Sequence, residues 1–325
     1  MRTPRFVFLS LLAVAMLSLI VGCGSQENAS TGGDANKPHI ALVMKSLANE
    51  FFKTMEEGAR AYHAENQDTF DLTVNGIKNE EDISGQVALV EQMLAKGVDA
   101  LIIAPADSKA LVSVLKRAVK QGVVVVNIDN KLDDDVQAEQ GVDIPFVGPN
   151  NRKGARTAAE YLASKLQPGD PVALVTGIPS AFNGIQRRLG FIDAMEAAGM
   201  DIITEQAGNW EMAKANQVAA GIVTEHPEVK ALLCANDSMA LGAAAALRDT
   251  GKSDDVYVIG YDGISAARGL IESGDMLCTI EQYPDQLAVY GLKYALEMLK
   301  TGGPLEDRET VVDLVTAETL DGAAM

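Results

Sequence analysis

The residues best placed to do chemistry stand at the ends of short apolar runs. Lys45 and Asn49 follow the run 40–44, Asp129 and Asn130 close 123–128, Asn236 and Asp237 follow 231–235, and Asp262 follows 256–260. A carboxylate accepts hydrogen bonds, an ammonium donates them and a carboxamide does both, so such groups brought together suit recognition of a polar ligand. The patterns that turnover needs are missing from the sequence. There is no Gly-x-Ser-x-Gly for a nucleophile elbow, no Gly-x-Gly-x-x-Gly after an apolar run and no phosphate loop. His39, His63 and His226 are scattered, without metal-ligand spacing. Asp133-Asp134-Asp135 lacks the alternating ligands and distant glutamate of a calcium loop and reads as a solvated charged loop. Asp129 and Asp262 form a carboxylate pair that can in principle act on a glycosidic bond, and each can also simply cap a following helix. Their matching places in the two halves of the chain favour ligand contact, so no catalytic residue, metal or cofactor is expected.

The elements that must position these groups alternate along the chain. Apolar runs at 40–44, 71–74, 100–104 and 123–128 are separated by segments of helical spacing at 52–66, 83–96 and 109–121. Runs without polar alternation, spaced by helices, predict a parallel sheet covered on both faces. The second half repeats the pattern, with runs at 172–175, 202–206, 231–235 and 256–260 and helical segments at 183–198, 214–225 and 238–250. Val43 matches Val175 at an offset of 132, Asp107 matches Asp237 at 130, and Asp129 matches Asp262 at 133. Near-constant offsets predict two α/β lobes of one topology. In open sheets of this kind ligands lie beyond the carboxyl ends of the strands, where the polar residues stand.

The start of the chain reads as an address. Arg2 and Arg5 precede an apolar run that ends in Ile20-Val21-Gly22-Cys23, the pattern of an export signal over residues 1–22. The junction resembles a bacterial lipoprotein box, which implies that Cys23 is lipidated and that 23–37, polar and glycine-rich, is a flexible tether. The net charge of −18 becomes −20 once the two signal arginines are removed. Such a surface repels phosphate backbones and excludes nucleic acid as a partner. Cys234 and Cys278 both fall in apolar runs and read as buried free thiols, with a single bridge between them left open. About 290 folded residues predict two domains.

Several segments carry a family resemblance: ALVMKSLANEFF at 41–52, VVNIDNKL at 125–132, CANDSMALGAAAAL at 234–247, VIGYDG at 258–263 and TIEQYPDQ at 279–286. Together they resemble the ribose/allose-type solute-binding proteins of ABC sugar importers, over about residues 37–317. The resemblance implies a type I periplasmic binding fold with a three-segment hinge. Its lobes would be 38–149 plus 283–312 and 150–282 plus 313–325. It implies ligand contacts at Lys45, Asn49, Phe51, Phe52, Asp129, Asn130, Arg187, Trp210, Asn236, Asp262 and Gln282. The charged groups and carboxamides would hydrogen-bond sugar hydroxyls, and the aromatic rings would face the sugar's C–H surface. Trp210 lies between polar Asn209 and Glu211, which speaks against deep burial. Arg187 rather than Arg188 points into the cleft. Lys45 and the GNWEMAK segment at 208–214 lean to the allose-like branch, while Asn130 and Phe52 depart from it. A monosaccharide as ligand, an ABC permease as membrane partner, a monomeric state and a membrane-anchored place in the periplasm or at the cell surface follow from the resemblance. Presentation of the closed form to a chemoreceptor or sensor kinase is the alternative role.

Overall fold

The computed structural model describes residues 37–303 and 305–322. The expected export signal, Cys23 and most of the tether lie outside the described residues. The first sheet begins with β1 (His39–Ser46), β2 (Asp71–Ile77), β3 (Ala100–Ile103), β4 (Val124–Ile128) and β5 (Phe146–Pro149). Between these strands run α1 (Glu50–Glu65), α2 (Ile83–Ala95), α3 (Val112–Lys120) and α4 (Asp134–Gln140). Helix α5 (Asn151–Ala163) leads into β6 (Pro171–Thr176), β7 (Asp201–Ala207), β8 (Ala231–Cys234), β9 (Tyr257–Ile259) and β10 (Cys278–Glu281). These are joined by α6 (Phe182–Ala197), α7 (Met212–Glu225), α8 (Asp237–Thr250) and α9 (Ser265–Ser273). The chain ends in α10 (Pro284–Thr301), β11 (Arg308–Thr310), β12 (Asp313–Thr316) and α11 (Ala317–Gly322).

The strands form two sheets, ordered β2-β1-β3-β4-β5-β11 and β7-β6-β8-β9-β10-β12. The orders are identical position for position, so the repeat seen in the sequence is a repeat of topology. All neighbours are parallel except β12, which runs antiparallel to β10. The apolar runs form strands because both faces are covered. Ile40, Leu42 and Met44 enter one cluster with Phe51, Met55, Ile128 and Leu292, while Ala41 and Val43 enter another with Val90, Leu115 and Ile103. Each buried Leu, Ile or Met contributes about 1.5–3 kcal/mol. The chain passes between the sheets three times: at Asn150, at Gln282-Tyr283 and at Val311-Val312.

One sequence reading changes here, and the reading of the two cysteines as buried free thiols holds. Asp133-Asp134-Asp135 is the start of α4 rather than a loop: the Asp133 carboxylate accepts the Val136 N–H at 2.9 Å, and Asp134 and Asp135 occupy the first turn, where negative charge is favoured by the helix dipole. Cys234 and Cys278 are separate buried thiols, on strands kept apart by β9, so no bridge joins them.

Candidate functional site

The two lobes are closed on each other at the carboxyl ends of their strands. Lys45 lies at the end of β1, 2% exposed, with Nζ 3.6 Å from Asp129 Oδ2 and 4.0 Å from Glu80 Oε2. Asn49 caps α1 by accepting the Phe51 N–H at 3.1 Å, and its Nδ2 donates to Glu80 at 3.3 Å. The first turn of that helix thereby holds Phe51 and Phe52 edge to face, 5.1 Å apart, with both against the same cavity. Asp129 follows β4 at φ 63° and Asp262 follows β9 at φ 133°. These are left-handed backbone conformations that cost a non-glycine residue of order 1–3 kcal/mol and persist where surrounding structure enforces them. The side chain of Asn127 enforces the first turn, donating to the Asn130 carbonyl at 2.8 Å and accepting from the Leu132 N–H at 2.8 Å. Asp262 is fixed by its own N–H bond to the Ile280 carbonyl at 2.8 Å. The same strain at equivalent places in both lobes points to two carboxylates aimed for use.

From the second lobe, Arg187 on α6 donates to Asn151 at 2.8 Å, to the Ala235 carbonyl at 2.9 Å and to Asp262 at 3.1 Å. Its guanidinium stacks 3.8 Å over the Tyr261 ring, which holds the fork rigid. Arg188 instead pairs with Glu205 at the surface. Asn236 caps α8 through Oδ1, accepting from the Met239 N–H at 2.9 Å, which leaves its amide nitrogen for other partners. Trp210 stands at φ 69° before α7, and its ring rests on Gly177 and Gly184. The ring lies between the two cations, 5.6 Å from Lys45 Nζ and 5.6 Å from the Arg187 guanidinium.

These groups meet around a small, tightly closed cavity, lined by Lys45, Asn49, Phe51, Phe52, Glu80, Asp129, Asn183, Arg187, Trp210, Asn236 and Asp262. Two wider grooves, one beside Tyr257 and one beside Tyr283, include none of these side chains. Three lining residues carry buried polar atoms that have no hydrogen-bond partner among the described residues: Asp129 Oδ2, Asn183 Oδ1 and the Trp210 indole N–H. Buried polar atoms are normally paired, so two acceptors and a donor aimed into one small cavity call for a ligand that both donates and accepts, as hydroxyl groups do. Burial pushes the Glu80 carboxyl up to about 7 against the pull of Lys45 and Asn49. Burial likewise holds Asp262 well above the ordinary carboxylate range despite Arg187.

Three expected residues lie elsewhere. Asn130 is fully buried but spends its side chain on structure: Nδ2 donates to the Pro105 carbonyl at 2.9 Å, and Oδ1 accepts the Asn183 N–H of the opposite lobe at 3.1 Å. Gln282 stands behind the cavity wall, donating to Asp262 at 2.7 Å. Asp237 turns into its own lobe, accepting from Thr279 at 2.6 Å and from the Ile264 N–H at 3.0 Å. Trp210 is buried, 4% exposed, because the opposite lobe covers it; its polar neighbours in sequence gave no sign of that. Glu80 and Asn183 were not expected in the site. Glu80 sits in the charged run 78–82, which reads as surface, and Asn183 opens a helix that lacks a cap of its own.

Hydrogen bonds across the cleft close the cavity. Ser108 and Asn130 accept the Phe182 and Asn183 N–H groups at the head of α6, at 2.9 and 3.1 Å. Ser180 donates to Asp107 at 2.7 Å, Glu211 accepts the Glu80 N–H at 3.2 Å, and Glu50 accepts the Ser265 N–H at 2.8 Å.

Known proteins are similar to this chain in sequence and fold. The family model for the periplasmic binding protein domain matches residues 40–304. A D-ribose/D-allose-binding protein of Pseudomonas aeruginosa is 53% identical over 285 residues, 86% of this chain and 89% of its own. The crystal structure of an ABC transporter solute-binding protein from Burkholderia multivorans, whose unknown ligand is represented as α-D-erythrofuranose, is 52% identical. It superposes with a TM-score of 0.85 over 87% of this chain and 100% of its own. A periplasmic solute-binding protein from Actinobacillus succinogenes with bound D-allose is 33% identical, with a TM-score of 0.83 over 88% of this chain and 100% of its own. With two matched parallel-sheet lobes closed on a polar and aromatic cavity, the chain belongs to the periplasmic binding protein domain family.

Proposed function

We propose that the protein captures a monosaccharide of the ribose–allose type in the interlobe cavity and delivers it to the permease of an ABC importer. The observation that carries this reading is the cavity itself. It is small, walled by Phe51, Phe52 and Trp210, and edged by charged groups and unpaired donors and acceptors. A few placed polar groups on an apolar wall suit a small hydroxyl-rich ligand. The names of the relatives, which are those of binding and import proteins, support transport rather than sensing or turnover. In this reading Lys45, Asn49, Asp129, Arg187, Asn236 and Asp262 hold the hydroxyls. Asn130 and Gln282 act one step back, through the lobe contact and Asp262. The lobes 38–149 plus 283–312 and 150–282 plus 313–325 open about the three crossings, and the ligand favours the closed state because only there are its contacts complete. The protein works as a monomer held to a membrane through lipidated Cys23.

The test is thermal unfolding and calorimetry with D-ribose, D-allose, other pentoses and hexoses, and polyols. A ligand present at about 100 times its dissociation constant adds about 2.7 kcal/mol to stability. One sugar should give this shift, and Arg187→Ala and Asp129→Ala should abolish it. No shift across the panel would remove the sugar assignment. Mass spectrometry of the membrane-bound protein checks the anchor, since Cys23→Ser should release it from the membrane.

A further inference from the structure

The charges that line the cavity do not balance. Two cations, Lys45 and Arg187, face three carboxylates: Asp129, Asp262 and Glu80. Each cation has its own nearest acid, Lys45 with Asp129 at 3.6 Å and Arg187 with Asp262 at 3.1 Å. Glu80 is the one left over. Its carboxyl is 4.0 Å from Lys45, beyond hydrogen-bond reach, and its one side-chain hydrogen bond is a long one from Asn49 at 3.3 Å. The groups around it from the other elements are Lys45 at the end of β1, Asn49 at the head of α1, Asp129 beyond β4, and Glu211 at the head of α7 in the opposite lobe. On its own loop, the neighbouring Glu81 accepts from Asn209, again across the cleft at 2.5 Å. Two carboxylates and one already committed ammonium therefore face Glu80 in a buried site. An unpaired ionised carboxylate in such a place is costly, and neutralisation relieves the cost.

We propose that Glu80 is a ligand-contacting residue of the closed site and that it closes over the ligand as the neutral acid, taking up one proton as the lobes come together. This rests on the sugar reading above and deepens it. As a neutral acid Glu80 offers an O–H donor as well as an acceptor, and the cavity then carries two positive and two negative charges. That fits an uncharged polyol and disfavours sugar acids and phosphates. Opening the cleft exposes the carboxyl and returns it to its ordinary value, while closure pushes it up to about 7. The closed acid thus holds its proton at pH values where the open one has lost it. Closure is favoured as pH falls, within a window running from about 8 down to the ordinary carboxylate range. Between pH 8 and pH 6 the linkage amounts to about a tenfold gain in affinity.

The experiment is calorimetry of the purified protein with D-allose and D-ribose at pH 6, 7 and 8, in pairs of buffers that differ in ionisation enthalpy. The wild type should take up about half a proton per sugar bound at pH 7 and bind about tenfold tighter at pH 6 than at pH 8. Glu80→Gln, a neutral residue that still donates and accepts, should bind with little pH dependence and no linked proton. Glu80→Ala should also lose the proton, but bind about tenfold more weakly than Glu80→Gln. Sugar binding by the wild type without proton uptake overturns the proposal. So does uptake that persists in Glu80→Gln, which would place the proton on Asp262. Glu80→Ala binding as tightly as Glu80→Gln would remove Glu80 from the ligand's contacts. If neither sugar binds the wild type at any pH, the sugar reading itself fails and this assignment falls with it.

Discussion

Replacing Gly177 with alanine should disable the site while leaving the lobe folded. A Cβ at Gly177 would lie 2.0 Å from Cζ2 and 2.1 Å from Cη2 of Trp210. Ordinary carbon contacts begin near 3.4 Å, so the indole must retreat by about 1.4 Å at its nearest atom. The space on its far side is the small cavity that it lines. Gly177 is not among the positive-φ residues, so alanine is compatible with the backbone and the effect is steric. Overpacking costs about 1–3 kcal/mol. The low end applies to the empty protein, where the cavity receives the ring, and a bound sugar must push the ring back and bear that cost again. A loss of about 1–2 kcal/mol in binding is roughly a 5- to 30-fold weaker dissociation constant. Calorimetry measures it, and because Trp210 is the only tryptophan, its fluorescence reports the displaced ring directly. Gly184→Ala, whose Cβ would stand 3.1 Å from the same ring, should act in the same direction but less. If Gly177→Ala binds D-allose like the wild type with unchanged emission, the placement of Trp210 as a wall of the site is wrong.

Three further outcomes follow from the same geometry. Ser108→Ala with Asn130→Ala should release the head of α6 from the opposite lobe and cost about 1–2 kcal/mol of closed-state stability; stopped-flow fluorescence should show faster sugar dissociation, and an unchanged rate would detach these residues from closure. Asn127→Ala removes the bonds that hold the strained Asp129 turn. It should lower unfolding stability by about 1–3 kcal/mol in a denaturant titration and weaken binding as well, and an effect on neither would mean the turn is held by something else. Burial pushes the Cys234 and Cys278 thiols well above the ordinary thiol range. A thiol reagent at pH 8 should therefore modify neither until the protein unfolds, and rapid labelling of the native protein would contradict their burial.

The strands were legible because a parallel sheet covered on both faces leaves an unmistakable trace: Ile40 to Met44 and Val124 to Ile128 are apolar at every position save Asn127. The two strained aspartates were legible because the repeat places them at matching strand ends. What the sequence does not carry is the outcome of lobe meeting lobe. Glu80 lies in the run Lys78-Asn79-Glu80-Glu81-Asp82, as polar as any surface loop, yet it is buried among Lys45, Asn49 and Asp129, with Glu211, 131 residues away, bonded to its N–H. Trp210 is hidden by the same closure. Asn130 has the position of a ligand contact, but the bare head of α6 arrives opposite it and takes its oxygen. The short helix α4 was missed because three aspartates in a row suggest solvation, and a cap looks the same as a loop until its partner N–H is known.

The last crossing has a consequence for when the protein can become whole. Only Val311 and Val312 separate β11, the edge of the first sheet, from β12, the edge of the second. Helix α10, whose Gly291 lets it lie close on Ile102 and Ile128 of the first sheet, also belongs to this late stretch. The amino-terminal lobe is therefore left with one face only partly covered, by α1, and an open edge until nearly the whole chain has been made, although domains ordinarily fold in the order of synthesis. That delay keeps the first half from closing ahead of the rest of the chain. The half most exposed to premature folding is the half whose closing pieces arrive last.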